Sequence, residues 1–76
     1  MRPDALLQYL ARSLVDNPDE VNVTPIEEDR SLTLELRVHP DDLGKVIGRR
    51  GRTAKALRTL VRAAAEGDNV SVEIID

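Results

Sequence analysis

Residues 43–52 of the chain read Leu43-Gly44-Lys45-Val46-Ile47-Gly48-Arg49-Arg50-Gly51-Arg52. In this stretch Gly48 and Gly51 flank two arginines. Glycine lets the backbone turn tightly and approach another chain closely, because it has no Cβ. Arginine suits a phosphate because its planar guanidinium can donate two parallel hydrogen bonds. The pattern predicts a tight bend that presents two cations to a polyanion.

A helix is predicted on each side of this bend. Pro40-Asp41-Asp42 has the proline and early carboxylates that are typical of a helix start. Gly44 and Gly48 lie within residues 43–51, so this helix is predicted to be short. A longer helix is predicted from residue 52 or 53 to residue 66, ended by Gly67. Its first N–H groups and the positive end of its dipole would favour a phosphate beside the bend.

The remaining elements follow from hydrophobic spacing. A first helix is predicted over Pro3–Val15, with leucines at helical spacing, and a short strand from Val21 to about Ile26. Residues 27–30 are predicted to form a polar turn. The clearest strand is Leu32–Val38, in which apolar and polar residues alternate, so that one face is core and the other is solvated. Val70–Ile74 alternate in the same way as the last strand.

The predicted order is α-β-β-α-α-β, which makes residues 1–76 a single α+β domain, since a chain of 76 residues has no room for a second core. The first two strands should pair as an antiparallel hairpin. The last should lie parallel to the central strand through a right-handed two-helix crossover. The result is a three-stranded mixed sheet with three helices packed on one face.

Charge is unevenly distributed along the chain. The formal net charge is −3, which by itself argues against a nucleic-acid partner. From Leu43 to Ala65, however, there are seven basic residues and no acidic ones, whereas the rest of the chain carries four basic and fourteen acidic residues. Such asymmetry creates a local field that attracts polyanions. A merely solvated helix face is the alternative.

The composition argues against several classes of protein. There is no cysteine for a disulfide or thiolate metal site, and no apolar run approaches a membrane span. The first residues turn polar too soon for a signal peptide, so a cytoplasmic location is expected. The only histidine, His39, precedes Pro40 at a helix start and is interpreted as an exposed or capping residue. No metal, cofactor, small-molecule substrate or catalysis is predicted.

The spacing of the glycines argues against two kinds of nucleotide-binding site and favours a nucleic-acid-binding loop. Gly44, Gly48 and Gly51 do not form the G-x-G-x-x-G of dinucleotide-binding folds, and no Gly-Lys-Ser/Thr marks a nucleotide P-loop. A G-x-x-G loop between two helices that clamps a nucleic-acid backbone is the signature of KH modules. By itself the motif is weak, and a simple helix–helix turn with exposed arginines is the alternative.

Residues 43–58 resemble the core of the small bacterial KhpA-type (YlqC-like) KH-domain proteins, and the similarity extends to Leu14–Val21 and to Val70–Ile75. The resemblance implies a type II KH domain that binds single-stranded RNA. It further implies homodimers and association with a larger partner of the Jag/KhpB type, in a role such as post-transcriptional regulation or RNA chaperoning. The RNA-binding residues that it implies are Lys45, Ile47, Gly48, Arg49, Arg50, Gly51, Arg52 and Lys55.

The predicted long helix has more apolar surface than a sheet requires. Ala54, Leu57, Val61 and Ala64 define one core stripe, and an adjacent stripe widens the apolar arc to about 200°. This adjacent stripe either packs against the first helix or forms a dimer contact. Its residues are Ala56, Leu60 and Ala63.

Only one aromatic residue, Tyr9, is present, and it is interpreted as a packing residue. Aromatic stacking of bases is therefore not expected, and recognition would depend on backbone clamping and aliphatic contact. A second hypothesis remains, in which the chain is a protein-interaction subunit whose KH loop is vestigial. Arg49 and Arg50 favour RNA binding, because a vestigial loop has no need for charge.

Overall fold

A computed structural model of the chain describes residues 1–66 and 69–76. The helices and strands are α1 (Pro3–Leu14), β1 (Asn22–Glu28), β2 (Ser31–Arg37), α2 (Leu43–Ile47), α3 (Arg52–Ala64) and β3 (Asn69–Ile75). Short 3-10 turns lie at Pro18–Glu20, Pro40–Asp42 and Arg49–Gly51. Within the described ranges, no helix has both the length and the hydropathy to cross a lipid bilayer.

The three strands form one mixed sheet in the order β1-β2-β3. β1 is antiparallel to β2, and β3 is parallel to β2. Leu34 lies at the centre, opposite Pro25 on one side and Val72 on the other. The α+β arrangement and the order α-β-β-α-α-β are therefore confirmed.

The core lies between the sheet and the helices. Along β2, Leu34 and Leu36 are fully buried while Arg37 is exposed, as the predicted alternation requires. Each helix packs one stripe of apolar side chains against the face of the sheet that carries Leu34 and Leu36. The buried helical side chains are Leu7, Ala11, Val46, Ala54, Leu57 and Val61.

Two predicted boundaries were wrong by two residues, and several others differ by one residue. The polar turn is only Asp29-Arg30, because Asp29 adopts a left-handed φ of 46° that lets β1 continue through Glu28. The long helix ends at Ala64 rather than at residue 66, since Glu66 already has a φ of 54°. The predicted stop at Gly67 lies outside the described residues.

The outward side of α1 is less buried than predicted. Tyr9 is 63% exposed, so its interpretation as a packing residue was wrong. Leu14, the last leucine of the predicted stripe, is 41% exposed. Leu7 and Ala11 take the core positions, because they lie one turn apart on the side that faces the sheet.

Candidate nucleic-acid interface

The glycine-arginine segment forms a sharp bend between α2 and α3. The Gly48 N–H donates to the Gly44 carbonyl at 2.8 Å and ends α2. Gly48 then adopts φ 76°, ψ 174°, and Gly51 adopts φ 73°, ψ 14°. The Gly48 conformation is almost restricted to glycine, and the Gly51 conformation strongly favours it. The backbone path therefore requires glycine at position 48 and favours it at position 51.

Gly48 is also fixed by close packing. A Cβ added at this position would overlap the Thr53 side chain, at 2.7 Å from the Thr53 Cβ, and would lie 2.9 Å from the Thr53 amide nitrogen. A Cβ added at Gly51 would meet open space. The first glycine thus allows the start of α3 to lie directly against the end of α2, whereas the second permits only a change in chain direction.

The two arginines occupy the outer side of the bend. Arg49 and Arg50 are both exposed, and Arg50 has a left-handed backbone with φ 58° and ψ 25°. For an L-residue this conformation costs about 1–2 kcal/mol. The fold therefore holds a strained cation at the surface, a feature that often marks a functional site.

The start of α3 retains part of its capacity to bind an anion. The Gly51 N–H donates to the Gly48 carbonyl at 3.2 Å, and the Arg52 N–H donates to the Arg49 carbonyl, so these two donors are used within the bend. No side chain caps the helix at Gly51. The following N–H groups and the positive end of the helix dipole lie at the end of α3 that adjoins the bend.

The other predicted RNA-binding residues flank the bend. Arg52 and Lys55 are exposed on the first turn of α3. Ile47, the last residue of α2, is 38% exposed and supplies an aliphatic surface beside Gly48. The structure therefore brings these three residues to the surface next to the two arginines.

Lys45 differs from the other cations because carboxylates surround it. Its Nζ lies 3.2 Å from an Asp16 carboxylate oxygen and 4.0 Å from one of Asp42. Its charge is therefore partly offset by the turn that follows α1. A phosphate at Lys45 would have to compete with these carboxylates.

Asp42 is a structural residue that the sequence did not reveal. Its side chain is 1% exposed, and its carboxylate accepts hydrogen bonds from the Asp16 and Asn17 backbone N–H groups and from Asn17 Nδ2. Burial by itself raises the pKa of Asp42, but these hydrogen bonds and the nearby Lys45 outweigh burial and lower the pKa below its ordinary value. Asp42 thereby ties the start of α2 to the turn after α1.

His39 has the capping role that was one of its two predicted roles. Its Nδ1 accepts a hydrogen bond from the Asp41 N–H at 3.0 Å, at the start of the Pro40–Asp42 turn. The other ring nitrogen lies 3.8 Å from a Glu20 carboxylate oxygen.

Within residues 1–66 and 69–76, no group of three acidic, histidine or cysteine side chains is arranged to hold a metal ion.

The second apolar stripe of α3 is at the surface. Leu60 is 49% exposed, and Ala56 and Ala63 are exposed beside it. The alternative in which α1 covers this stripe is therefore wrong. These three residues form an exposed apolar surface, here called the Leu60 patch.

The chain is similar in sequence to a known protein family and to several named proteins. The family model for the KhpA/KhpB KH domain matches residues 4–75. A protein of Clostridium acetobutylicum named RNA-binding protein KhpA is 56% identical over 72 residues, which cover 92% of this chain and 96% of that protein. Proteins with the same name from Halalkalibacterium halodurans and Mycobacterium tuberculosis are 53% and 56% identical, covering 96% and 86% of their own lengths.

Among solved structures, a variant of Era from Aquifex aeolicus, bound to GDP and AlF4−, has a similar fold. The TM-score is 0.68 at 21% sequence identity, over 95% of this chain and 29% of the Era chain. This likeness concerns the fold alone, and the chain spans under a third of Era. The family match and the identity to the curated relatives show that the chain belongs to the KhpA/KhpB KH-domain family.

Proposed function

We propose that the chain binds single-stranded RNA through the bend at Gly48–Gly51. The observation that carries the proposal is the pair of exposed arginines, Arg49 and Arg50, held by positive-φ glycines at the uncapped start of α3. The relatives named RNA-binding protein KhpA support RNA as the ligand. Those names describe proteins that bind RNA and do not describe catalysts. The chain is not an enzyme.

Binding in this proposal is electrostatic and steric rather than aromatic. Arg49, Arg50, Arg52 and Lys55 neutralise phosphates, and Ile47 contacts a base or ribose through its aliphatic surface. Lys45 contributes less, because Asp16 lies 3.2 Å from its Nζ. A KH loop clamps about four nucleotides. With four to five cations engaged, log K should fall with log salt at a slope of roughly −3.

A charge-reversal experiment tests the site. The double variant Arg49→Asp/Arg50→Asp should lose binding to a short single-stranded RNA in a fluorescence anisotropy assay, while its circular dichroism spectrum stays unchanged. The control Arg12→Asp/Arg30→Asp makes the same change in net charge at two exposed positions outside the bend. Equal loss in both variants would show general electrostatics, and unchanged affinity in the first would exclude the bend as the site.

The Leu60 patch is proposed as the protein-contact surface of the chain. Ala56, Leu60 and Ala63 face solvent and, at 100° per residue, lie about 80–160° around α3 from Lys55 and Arg62, with Leu60 the farthest. A homodimer or a complex with a larger Jag/KhpB-type partner could form there with Lys55 and Arg62 outside the contact. A small domain with a thin core gains most from such burial.

In a bacterial cell this chain is proposed to act in the cytoplasm as a post-transcriptional regulator or RNA chaperone. The alternative is a protein-interaction subunit with a vestigial loop, which the exposed Leu60 patch also fits. Crosslinking in cells separates the two. RNA recovered with the wild type but not with Arg49→Asp/Arg50→Asp supports binding through the bend, and no RNA with either protein supports the alternative.

A further inference from the structure

Two arginines on α3 are anchored to the neighbouring strand. The Arg58 Nε donates a hydrogen bond to the Val72 carbonyl at 3.3 Å, and the Arg62 Nε donates to the Val70 carbonyl at 3.4 Å. One helical turn separates the arginines, and two residues of β3 separate the carbonyls. Both contacts are part-buried. The pair therefore forms a regular connection between α3 and β3.

The anchored carbonyls belong to a strand at the end of the sheet. Among the residues that the structure describes, β3 pairs only with β2, and an edge strand usually presents backbone groups that could pair with another strand. Arg58 and Arg62 occupy two of these carbonyls with charged side chains. This arrangement disfavours the addition of a peptide strand at this edge and places positive charge there instead.

The anchoring leaves most of each guanidinium available. Arginine has five N–H donors, and the bond from Nε uses one. The two Nη groups remain, and they form the end-on fork that binds a phosphate through two parallel hydrogen bonds. Because the Nε bond fixes the plane of the group, less side-chain entropy is lost when a phosphate binds.

These arginines continue the basic surface that begins at the bend. At 100° per residue, Lys55, Arg58 and Arg62 fall within an arc of about 60° on α3, and residues 52–64 contain no acidic side chain. The distance from Lys55 to Arg62 along the helix axis is about 10 Å at 1.5 Å per residue. The axial rise of about 3.4 Å per nucleotide in a duplex strand is a lower limit for the spacing of phosphates along a single strand, so at most about three phosphates fit along this distance.

We propose that Arg58 and Arg62 bind the RNA backbone beyond the bend, so that the footprint extends by up to about three nucleotides past the roughly four held by a KH loop. This inference rests on the proposed function and extends it to a longer single-stranded ligand. The RNA follows α3 along the open edge of β3, from Gly51 toward Arg62. Arg62 is the outermost contact.

The test compares two RNA lengths, about four and about eight nucleotides, in fluorescence anisotropy titrations. The Arg62→Gln variant should bind the longer RNA about fivefold more weakly, the upper range for an exposed charge contact, and should bind the shorter RNA like the wild type. Its salt slope on the longer RNA should shrink by about 0.7. Arg62→Lys keeps the charge and should restore the slope. Arg12→Gln, an exposed arginine of α1, is the matched control.

The short RNA reports whether the bend is intact in each variant. Unchanged binding of the long RNA by Arg62→Gln, or equal weakening at both lengths, would overturn the extended footprint. An equal effect of Arg12→Gln would overturn it as well, because the cause would be net charge. Loss of the short RNA in Arg49→Asp/Arg50→Asp tests the proposed function separately, so failure of one proposal is distinguishable from failure of the other.

Discussion

Gly48 and Thr53 approach so closely that a Cβ at position 48 would lie 2.7 Å from the Thr53 Cβ. This contact lets the start of α3 pack directly against the end of α2, on either side of the exposed Arg49 and Arg50. The other glycine of the bend, Gly51, has open space around its Cα. The two glycines of one short motif are therefore required for different physical reasons.

A series of glycine-to-alanine variants separates these reasons. Gly48→Ala should lower the free energy of unfolding by about 3 kcal/mol or more, because backbone strain adds to the overlap with Thr53. Gly51→Ala should cost about 1 kcal/mol through its left-handed φ alone. Gly44→Ala, in α2 with open space, should be neutral or stabilising by up to about 1 kcal/mol.

Urea denaturation followed by circular dichroism measures all three variants. Equal destabilisation by Gly48→Ala and Gly51→Ala would contradict a specific role for the contact with Thr53. As a further check, Thr53→Ala should relieve part of the cost of Gly48→Ala, because it removes the Oγ1 that the new Cβ would overlap.

Arg50 is expected to favour RNA binding and to lower the stability of the fold. Arg50→Gly removes the strain of the left-handed backbone with φ 58° and should raise the free energy of unfolding by up to about 1 kcal/mol. The same variant loses a cation at the bend and should bind RNA more weakly. Arg49→Gly lacks the first effect and serves as control, so a gain in stability there would argue against strain at Arg50.

The buried Asp42 carboxylate should be important for stability. In Asp42→Ala the N–H groups of Asp16 and Asn17 lose their acceptor, and Lys45 loses one of its two carboxylate neighbours. The urea midpoint should fall clearly, whereas Asp41→Ala, whose carboxylate is 89% exposed, should leave it nearly unchanged. Similar midpoints for the two variants would mean that the buried hydrogen bonds contribute little.

The lowered pKa of Asp42 predicts a direction for the effect of acid. The pKa of this carboxylate is lower in the folded than in the unfolded state, so the ionised group stabilises the fold at a pH above its unfolded-state pKa. This stabilisation is lost as the pH falls through its folded-state pKa. The difference in urea midpoint between wild type and Asp42→Asn should therefore be largest near neutral pH and shrink below about pH 4. A difference that stays constant with pH would contradict this assignment.

The Leu60 patch predicts a change in oligomeric state. Leu60→Asp should give monomers in sedimentation experiments if the wild type is a dimer, because a charge would be buried at the interface. Ala5→Asp places the same charge at an exposed position of another helix, α1. A dimeric Leu60→Asp protein, or a monomeric Ala5→Asp protein, would refute the patch as the contact surface.

Much of the fold could be predicted because its signals are local. The alternation along Leu32–Val38 placed β2 with the correct face inward, and the glycines of the bend divided two helices at the correct residues. The two errors of two residues lie close to residues with an unusual backbone: Asp29 directly follows β1, and Glu66 lies two residues after α3, and both have a positive φ. Neither residue is a glycine, so composition did not mark them.

The sequence by itself determined the order of the elements and the concentration of positive charge around Gly48–Gly51, because hydrophobic periodicity, glycine and charge act within a few residues. Only the tertiary structure decided that Asp42 would be buried beneath the Asp16–Asn17 turn, that the Leu60 patch would stay uncovered, and that Arg58 and Arg62 would be anchored to β3. Each of these outcomes joins residues that are distant in sequence or depends on how neighbouring elements pack. The pattern of a single segment does not record such contacts.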